Sequence, residues 1–368
     1  MSVAACISSA PPFSNKTKVA HRIEPLKDSR WDQLIQRHPE SSLFHSSAWL
    51  TALYRTYGYK PIAFTTADAG ERLENGVVFC QVESWLTGRR LVSLPFSDHC
   101  DPLLDGPEDV KAMGIALDRE FRLRNWRYIE LRPLQPRDLP IDLPQTTIPY
   151  TLHRLDHSPS LEKLFRNCHK DSTQRKIRRA EREGLTYREG NSEELLNHFY
   201  GLHTVTRKRH HRPPQPRKWF RDLREAIGDN FQVRVAFHQN RAIAAIVTIR
   251  HKNTMVYKYG GSDRQYNHLG GMHLLLWNAI QDAKAKGIRI FDFGRTEADQ
   301  SGLITFKKRW GTVESELAYT RYGLADSVTP LFEASAENWK SRTAKSLLAH
   351  MQPGLLSLAG RILYKHVG

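Results

Sequence analysis

The residues best suited to do chemistry in this chain gather in its second half. In Gly302-Leu-Ile-Thr-Phe-Lys-Lys-Arg-Trp-Gly311, Lys307 and Lys308 stand between Phe306 and Trp310. Aromatics anchored in a core can hold such a turn, so that the ammonium groups project into a cleft. There they would place positive charge where an anionic group could bind or form. Just upstream, Asp292, Arg295, Glu297 and Asp299 follow a strand-like run. Asp292 or Glu297 could accept a proton in such a site. No Ser/His/Asp signature argues for a covalent nucleophile. A second object is Asp171–Gly184, which reads as a helix with Asp171 and Gln174 as a capping box and Gly184 as its left-handed stop. Arg175, Arg178, Arg179 and Arg182 recur at i, i+3, i+4 and i+7, so four forked donors share one face, a pattern suited to anionic groups.

The elements that must position these groups repeat. In the first half, helices around Trp31–Gln36 and Ser47–Tyr57 precede three strand-like runs at Pro61–Thr66, Gly76–Leu86 and Arg90–Leu94. A helix over Pro107–Arg124 and a strand at Tyr128–Arg132 complete the unit. Five prolines between Pro133 and Pro149 read as a linker over 133–150. The order then recurs: helices at Ser172–Glu183 and Glu193–Lys208, strands at Phe231–Phe237, Ala242–Arg250 and Thr254–Tyr259, a helix at Gly271–Lys286, and strands at Ile288–Phe293 and Glu316–Tyr322. Ser97-Asp98 and Ser262-Asp263 follow the third strand of each half. Glu130 and Asp292 interrupt the closing strands as buried-looking acids. The repetition predicts a duplicated α/β unit with mixed sheets and crossover helices. The expected divisions are a disordered leader over 1–20, a first domain over 21–132, a second over 151–323 and an amphipathic helical tail over 324–368.

Composition sets the outer limits. The chain has 368 residues, 40% of them apolar and 26% charged, as in globular proteins, and no apolar run reaches the length of a membrane span. No signal-peptide pattern is read in the first twenty residues, so the expected location is the cytoplasm. The four cysteines lack metal-finger spacing, and His210-His211 has no acid or cysteine at ligand distance, so no metal is expected. The net charge is +16, and +12 of it falls within 166–188 and 207–224. That concentration points to a polyanionic partner: RNA, a nucleotide- or phosphate-linked substrate, or an anionic membrane surface. Arg207–Arg217 reads as a mobile basic loop. The apolar residues of Trp339–Val367, flanked by Lys and Arg, suit either a bilayer surface or docking on the second domain. A non-catalytic RNA- or membrane-binding protein is therefore the alternative to an enzyme, with Trp219 and Phe220 as candidate base-stacking aromatics.

Four segments together resemble the FemAB-like branch of the GNAT superfamily, with its acetyltransferase-6 (BioF2-like) relatives. They are Ser46-Ser47-Ala48-Trp49-Leu50 with Tyr57-Gly58, Arg175–Gly184, Ile290-Phe-Asp-Phe-Gly294 and Gly302–Gly311, and the resemblance spans about residues 25–323. It implies tandem GNAT-like domains around a substrate cleft and transfer of an acyl or aminoacyl group to an amine of a cell-envelope glycan or peptide precursor. The implied donor is an acyl-CoA or an aminoacyl-tRNA, with tRNA as a partner in the second case. The resemblance assigns to Lys307 or Lys308 contact with substrate phosphate or the reacting carbonyl. It also likens Asn267-His-Leu-Gly270-Gly271-Met272 to the loop whose amides hold the pyrophosphate of the acyl donor at a helix N-terminus. In this chain Asn267 replaces the usual Gln or Arg, and Met272 the final small residue. The long helical-hairpin arm often carried by peptidoglycan-bridge members has no counterpart in the sequence.

Overall fold

Alternating apolar residues in each half form a five-stranded meander, and one large mixed sheet joins the two. A computed structural model describes residues 18–324 and 353–367. The first half contributes β1 (His21–Ile23), β2 (Lys60–Thr65), β3 (Val77–Ser84), β4 (Gly88–Val92) and β5 (Tyr128–Leu131). Helices α1 (Ser29–Arg37) and α2 (Ser47–Tyr57) lie between β1 and β2, and α3 (Pro107–Arg124) carries the chain from β4 to a parallel β5. The second half opens with β6 (Gln145–Asp156), α4 (Leu161–Asn167) and α5 (Arg175–Arg182). It repeats the meander as β7 (Thr186–Gly190), β8 (Phe231–His238), β9 (Arg241–His251), β10 (Thr254–Ser262) and β11 (Ile290–Glu297). Helices α6 (Glu193–Arg209) and α7 (Arg217–Ile227) precede β8, and α8 (Gly271–Ala285) crosses from β10 to a parallel β11. After α9 (Ser301–Lys308), β12 (Val313–Gly323) returns to the middle. The strand order is β1-β2-β3-β4-β5-β12-β6-β11-β10-β9-β8-β7, so the two meanders lie as mirrored wings around two exchanged strands.

One core links the wings. Trp49 of α2 meets Trp219 of α7 edge to face at 5.2 Å, and both are fully buried. Leu53, Val78 and Val92 of the first half join Phe199, Phe220, Val233 and Val247 of the second in the same cluster. Separate cores lie under α3 and under α8.

Several expectations need correction. Residues 145–149, expected in the linker, begin β6. Four of the five prolines precede that strand. Pro149 is tolerated because residues 145–149 pair with β12 alone, and β11 joins only from Tyr150. The basic stretch at 207–217 is the end of α6, a proline-rich turn and the start of α7, whose charge density masked the apolar period of Trp219, Phe220 and Leu223. Trp219 and Phe220 are core residues, not stacking platforms. The arginine segment has no Asp171–Gln174 capping box. Residues Lys170–Gln174 form a wide turn, the His169 ring accepts from the Ser172 amide, and Gln174 donates to the Cys168 carbonyl. Gly184 adopts the expected left-handed conformation at φ 66°. The 302–311 segment is largely helix α9 rather than a turn. The expected leader falls almost wholly outside the described residues, as does much of the tail. Of the tail, α10 (Pro353–Val367) is described, and it docks against both halves.

Both repeated acids are buried, each 1% exposed. Glu130 is clamped between Arg132, 2.6 Å away, and Arg321 of β12, 2.5 Å away. Burial alone would raise its pKa, but the two guanidinium charges outweigh burial and hold it at about 2. Because the folded value lies below the ordinary 4.5, the stabilisation is complete above pH 4.5 and is lost as the pH falls toward 2. Glu130→Gln is expected to lower stability near neutral pH by about 3 kcal/mol, since it leaves buried arginines uncompensated. Denaturant melts between pH 2.5 and 7 should show a flatter acid limb in the variant, and parallel wild-type and variant profiles would refute this clamp.

Candidate active site

Strands β10 and β11 pair in parallel only over Thr254–Val256 and Ile290–Asp292. Beyond that point β10 follows β9, β11 follows β6, and the two part. A register shift between Tyr257 and Tyr259 makes Lys258 a bulged residue at the opening. Its ammonium donates to Asp98 of the first half at 2.8 Å and lies over the rings of Phe44 and Trp49. Gly294 of β11 has φ 72°, and a Cβ there would sit 3.1 Å from the Asp98 carboxylate. The first half's β4–α3 loop therefore inserts an aspartate into the parting of the second half's strands.

Lys307 approaches the same place from α9. It is 3% exposed, and its Nζ donates to the carbonyl oxygens of Gly294 at 2.7 Å and Arg295 at 3.0 Å. Burial is the main influence on its pKa, lowering it to about 8, with partial compensation from Asp98 and Asp292. Burial would raise the Asp98 carboxyl, but Lys258, Arg295 and Lys307 hold it below its ordinary value. His99 lies between Asp292, at 3.4 Å, and Asp101, at 3.7 Å. Burial disfavours its cation, but the two carboxylates prevail and raise its pKa to about 9. The site is thus a water-poor cluster of alternating charges drawn from both halves. Arg295 borders it, stacked over Tyr150 at 4.2 Å and Tyr319 at 5.2 Å.

Beside this cluster a cavity of about 240 Å³ opens at the N-terminus of α8. Asn267, Gly271, Met272 and His273 line one side, Ile243 and Ala244 another, and Lys176 and Phe306 complete it. Gly270 precedes the helix at φ 85°, and a Cβ there would collide with the Lys176 carbonyl. The helix N-terminus and the adjoining Lys176 make this an anion-favouring pocket with an apolar wall. Phe306, next to Lys307 in sequence, lines it and packs its ring 5.7 Å from His273.

The structure brings Lys307, Asp292, Arg295, Asn267, Gly270 and Gly271 into this region. The aromatic anchoring holds for Trp310, which is fully buried, and in part for Phe306. Lys307, however, is tied to main-chain carbonyls rather than standing free, because its stem runs inward from α9. Lys308 points to the surface and pairs with Glu314 at 2.7 Å. Asp292 accepts from the Gly294 amide at 2.6 Å and faces His99, so both its oxygens are engaged. Glu297 lies further along β11, bonded to Arg212 and Gln300. The arginine stripe is elsewhere. Ile177 and Ala180 face the core, so Arg175, Arg178, Arg179 and Arg182 occupy the opposite side of α5. Arg175 pairs with Asp171, Arg179 with Glu183, and Arg178 stacks on Phe165. The second basic cluster is also partly neutralised, with Arg217 and Arg224 both bonded to Glu193.

Sequence reasoning missed Lys176, Lys258, Asp98 and His99 as site residues. A signal existed for two of them. Lys258 is a lone charge in the otherwise apolar and aromatic run Thr254–Tyr259, and Asp98 was noticed only as a mark of the repeat.

The chain is similar to known proteins in sequence and in fold. Residues 168–308 match the family model for the acetyltransferase (GNAT) domain. The chain is 35% identical over 98 residues to the lipid II:glycine glycyltransferase of Staphylococcus saprophyticus, covering 24% of this chain and 22% of that protein. It is 25% identical over 178 residues to the UDP-N-acetylmuramoylpentapeptide-lysine N(6)-alanyltransferase of Weissella viridescens, covering 47% of this chain and 49% of that one. These matches span less than half the length of either relative. The crystal structure of FemX has the same fold, with a TM-score of 0.65 at 14% identity, covering 86% of this chain and 99% of that one. The second half thus matches an acetyltransferase (GNAT) domain, and the chain as a whole has the fold of FemX. Taken together these similarities are to the FemAB-like branch of GNAT proteins.

Gly270→Ala tests the local architecture of the cavity. A side chain there meets both an unfavourable φ and a backbone oxygen, at an expected cost of about 1–3 kcal/mol. The melting temperature should fall by about 1–4 °C. Gly302→Ala, where a Cβ meets open space, should leave it nearly unchanged. Equal melting of the two variants would contradict the tight seating of Gly270 on α5.

Proposed function

We propose that this protein is an N-acyltransferase that moves an acyl or aminoacyl group from an acyl-CoA or an aminoacyl-tRNA to an amine of a cell-envelope peptide or glycan precursor. The observation that carries the reading is the buried Lys307 at the parting of β10 and β11, one residue from Phe306, which lines an anion-favouring cavity at the N-terminus of α8. The named activities of the two sequence relatives, a glycyl and an alanyl transfer, support the same class of reaction.

Such a transfer needs alignment and charge more than covalent help. The acceptor nitrogen attacks the acyl carbonyl carbon, and the carbonyl oxygen gains the charge. Collapse breaks the bond to the donor's sulfur or ribose oxygen, and the nitrogen gives up a proton. In this proposal the cavity with Lys176 holds the phosphate-bearing part of the donor. Lys307 exchanges one carbonyl partner for the developing oxyanion. Asp98 and Lys258 keep that region charged and dry. Both Asp292 oxygens are engaged, whereas Arg212 and Gln300 both bond Oε2 of Glu297, so this proposal gives the ammonium proton to Glu297, whose side chain is 38% exposed. The arginine stripe of α5 faces outward and serves a large polyanion, such as a donor tRNA, better than a small one. The anionic acceptor would then carry its phosphate in the same basic surroundings.

Lys307→Met is expected to lower turnover about a hundredfold, the scale of losing one oxyanion donor. Lys308→Met should change it by less than about threefold, since exposed ion pairs contribute little. The cation of Lys307 is present below its pKa of about 8, so wild-type turnover should fall as the pH rises through that value. Lys307→Arg should remove this alkaline limb even if it is slower. Steady-state transfer from acetyl-CoA and from charged tRNA, with a muropeptide amine as acceptor, checks both points. Wild-type turnover in Lys307→Met would overturn the assignment.

A further inference from the structure

Helix α10 docks with one side and leaves a regular stripe on the other. Gly360 is buried against the Pro213–Pro214 segment, where a Cβ would collide with the Pro214 carbonyl. Tyr364 accepts at its main-chain oxygen from the Tyr59 hydroxyl, and its own hydroxyl donates to the Pro213 carbonyl. His366 accepts at its carbonyl from Thr87 and Arg90, both at 2.8 Å. Facing out are Leu358, Arg361, Ile362 and Lys365, at i, i+3, i+4 and i+7. Leu358 is 52% and Ile362 55% exposed. The helix contains no acid.

The stripe is not isolated. The β3–β4 turn carries Trp85, 85% exposed, and Leu86, 52% exposed. The Trp85 ring lies 5.5 Å from the His366 ring, so the turn and the end of the helix form one continuous surface. Glu83, at the base of this hairpin, is paired with Arg89. A tryptophan at the tip, leucine and isoleucine on one helix face and cations between them have the chemistry of an in-plane membrane contact. The apolar groups enter the acyl boundary, the indole sits at headgroup level, and Arg361 and Lys365 meet anionic lipid.

We propose that Trp85, Leu86 and the exposed stripe of α10 form a docking surface for an anionic lipid bilayer. The occupant follows from charge complementarity: an apolar face bearing cations on a helix with no acid of its own, on a chain of net charge +16, favours a negative surface over a neutral one. The docked side of the same helix meets the β4–α3 loop. Tyr364 packs its ring 5.8 Å from Phe96, two residues before Asp98. Docking would therefore set the β4–α3 loop close to the membrane plane.

The test is sedimentation of the full chain with sucrose-loaded vesicles, and it does not depend on acyl transfer. Vesicles of phosphatidylcholine with one-third phosphatidylglycerol should bind the protein at least tenfold more tightly than phosphatidylcholine alone, and added salt should weaken that binding. Leu358→Ser with Ile362→Ser, and separately Trp85→Ser, should weaken partition about tenfold or more. Arg361→Gln with Lys365→Gln should remove most of the anionic preference, at about fivefold per cation. Ile115→Ser, an exposed apolar residue on α3, should bind as wild type. All these positions are exposed, and unchanged melting curves would show that the variants fold. If the apolar pair fails to fold, the charge pair and the salt series decide. Equal binding to both vesicle types would overturn the proposal, as would wild-type binding by the stripe variants. So would a lipid-free dimer that the stripe variants convert to monomer, since that would make the patch a subunit interface.

Discussion

The ion pair between Asp98 and Lys258 is where the two halves of the molecule depend on each other most directly. The lysine is available because a bulge in β10 turns it out of the strand's alternation, and the aspartate because the β4–α3 loop reaches across from the first half. Each charge is buried, and each would be costly without the other. Around them stand Lys307, Arg295, His99 and Asp292, all drawn into one low-dielectric region in which every charge has an opposite neighbour. A core of apolar residues could have joined the halves more cheaply, and Trp49 and Trp219 show that one does so nearby. The retention of charge at the strand opening is therefore best explained by the chemistry proposed for it.

Electrostatic layout also separates two kinds of basic residue that look alike in composition. The arginines of α5 and the cations of α7 lie on outer faces, several of them paired with local carboxylates. Lys176, Lys258 and Lys307 instead turn toward the cavity and the seam. The former set accounts for much of the net charge. The latter is small, but it operates where solvent screening is weakest, so its effect per charge is larger.

Much of the fold was legible because the elements obey local rules. Helices α2 and α3 match their sequence boundaries, since an apolar face ends at Gly58 in one, and a Pro start and an Asn125 left-handed stop bound the other. The duplication was visible in element order and in Glu130 and Asp292. Helix α7 was hidden by charge density, and β6 by its prolines, since neither composition reveals which backbone groups a neighbouring strand will satisfy. The site was only half legible. Lys307, Asp292, Arg295 and the Gly270–Gly271 turn lie close together in sequence and share one local neighbourhood. Asp98 and His99 come from about two hundred residues earlier, and only the pairing of the halves brings them there. The arginine stripe shows the converse: helical spacing established that four residues share a face, but not which way that face would turn.

The placement of β12 has a consequence for how the chain acquires its shape. This strand, made after both meanders, hydrogen-bonds to β5 of the first and to β6 of the second. Until it arrives, β5 exposes an unpaired edge, and Glu130 faces Arg132 without Arg321. During synthesis the first meander can collapse early, but it closes only when residues 313–323 leave the ribosome. The nascent chain thus carries an open strand edge through nearly two hundred residues of translation, a period in which chaperone protection would matter most. The same closure makes the finished sheet a single mechanical unit. The two wings cannot swing apart without breaking its central ladder, so a hinge between the halves is not available to this fold.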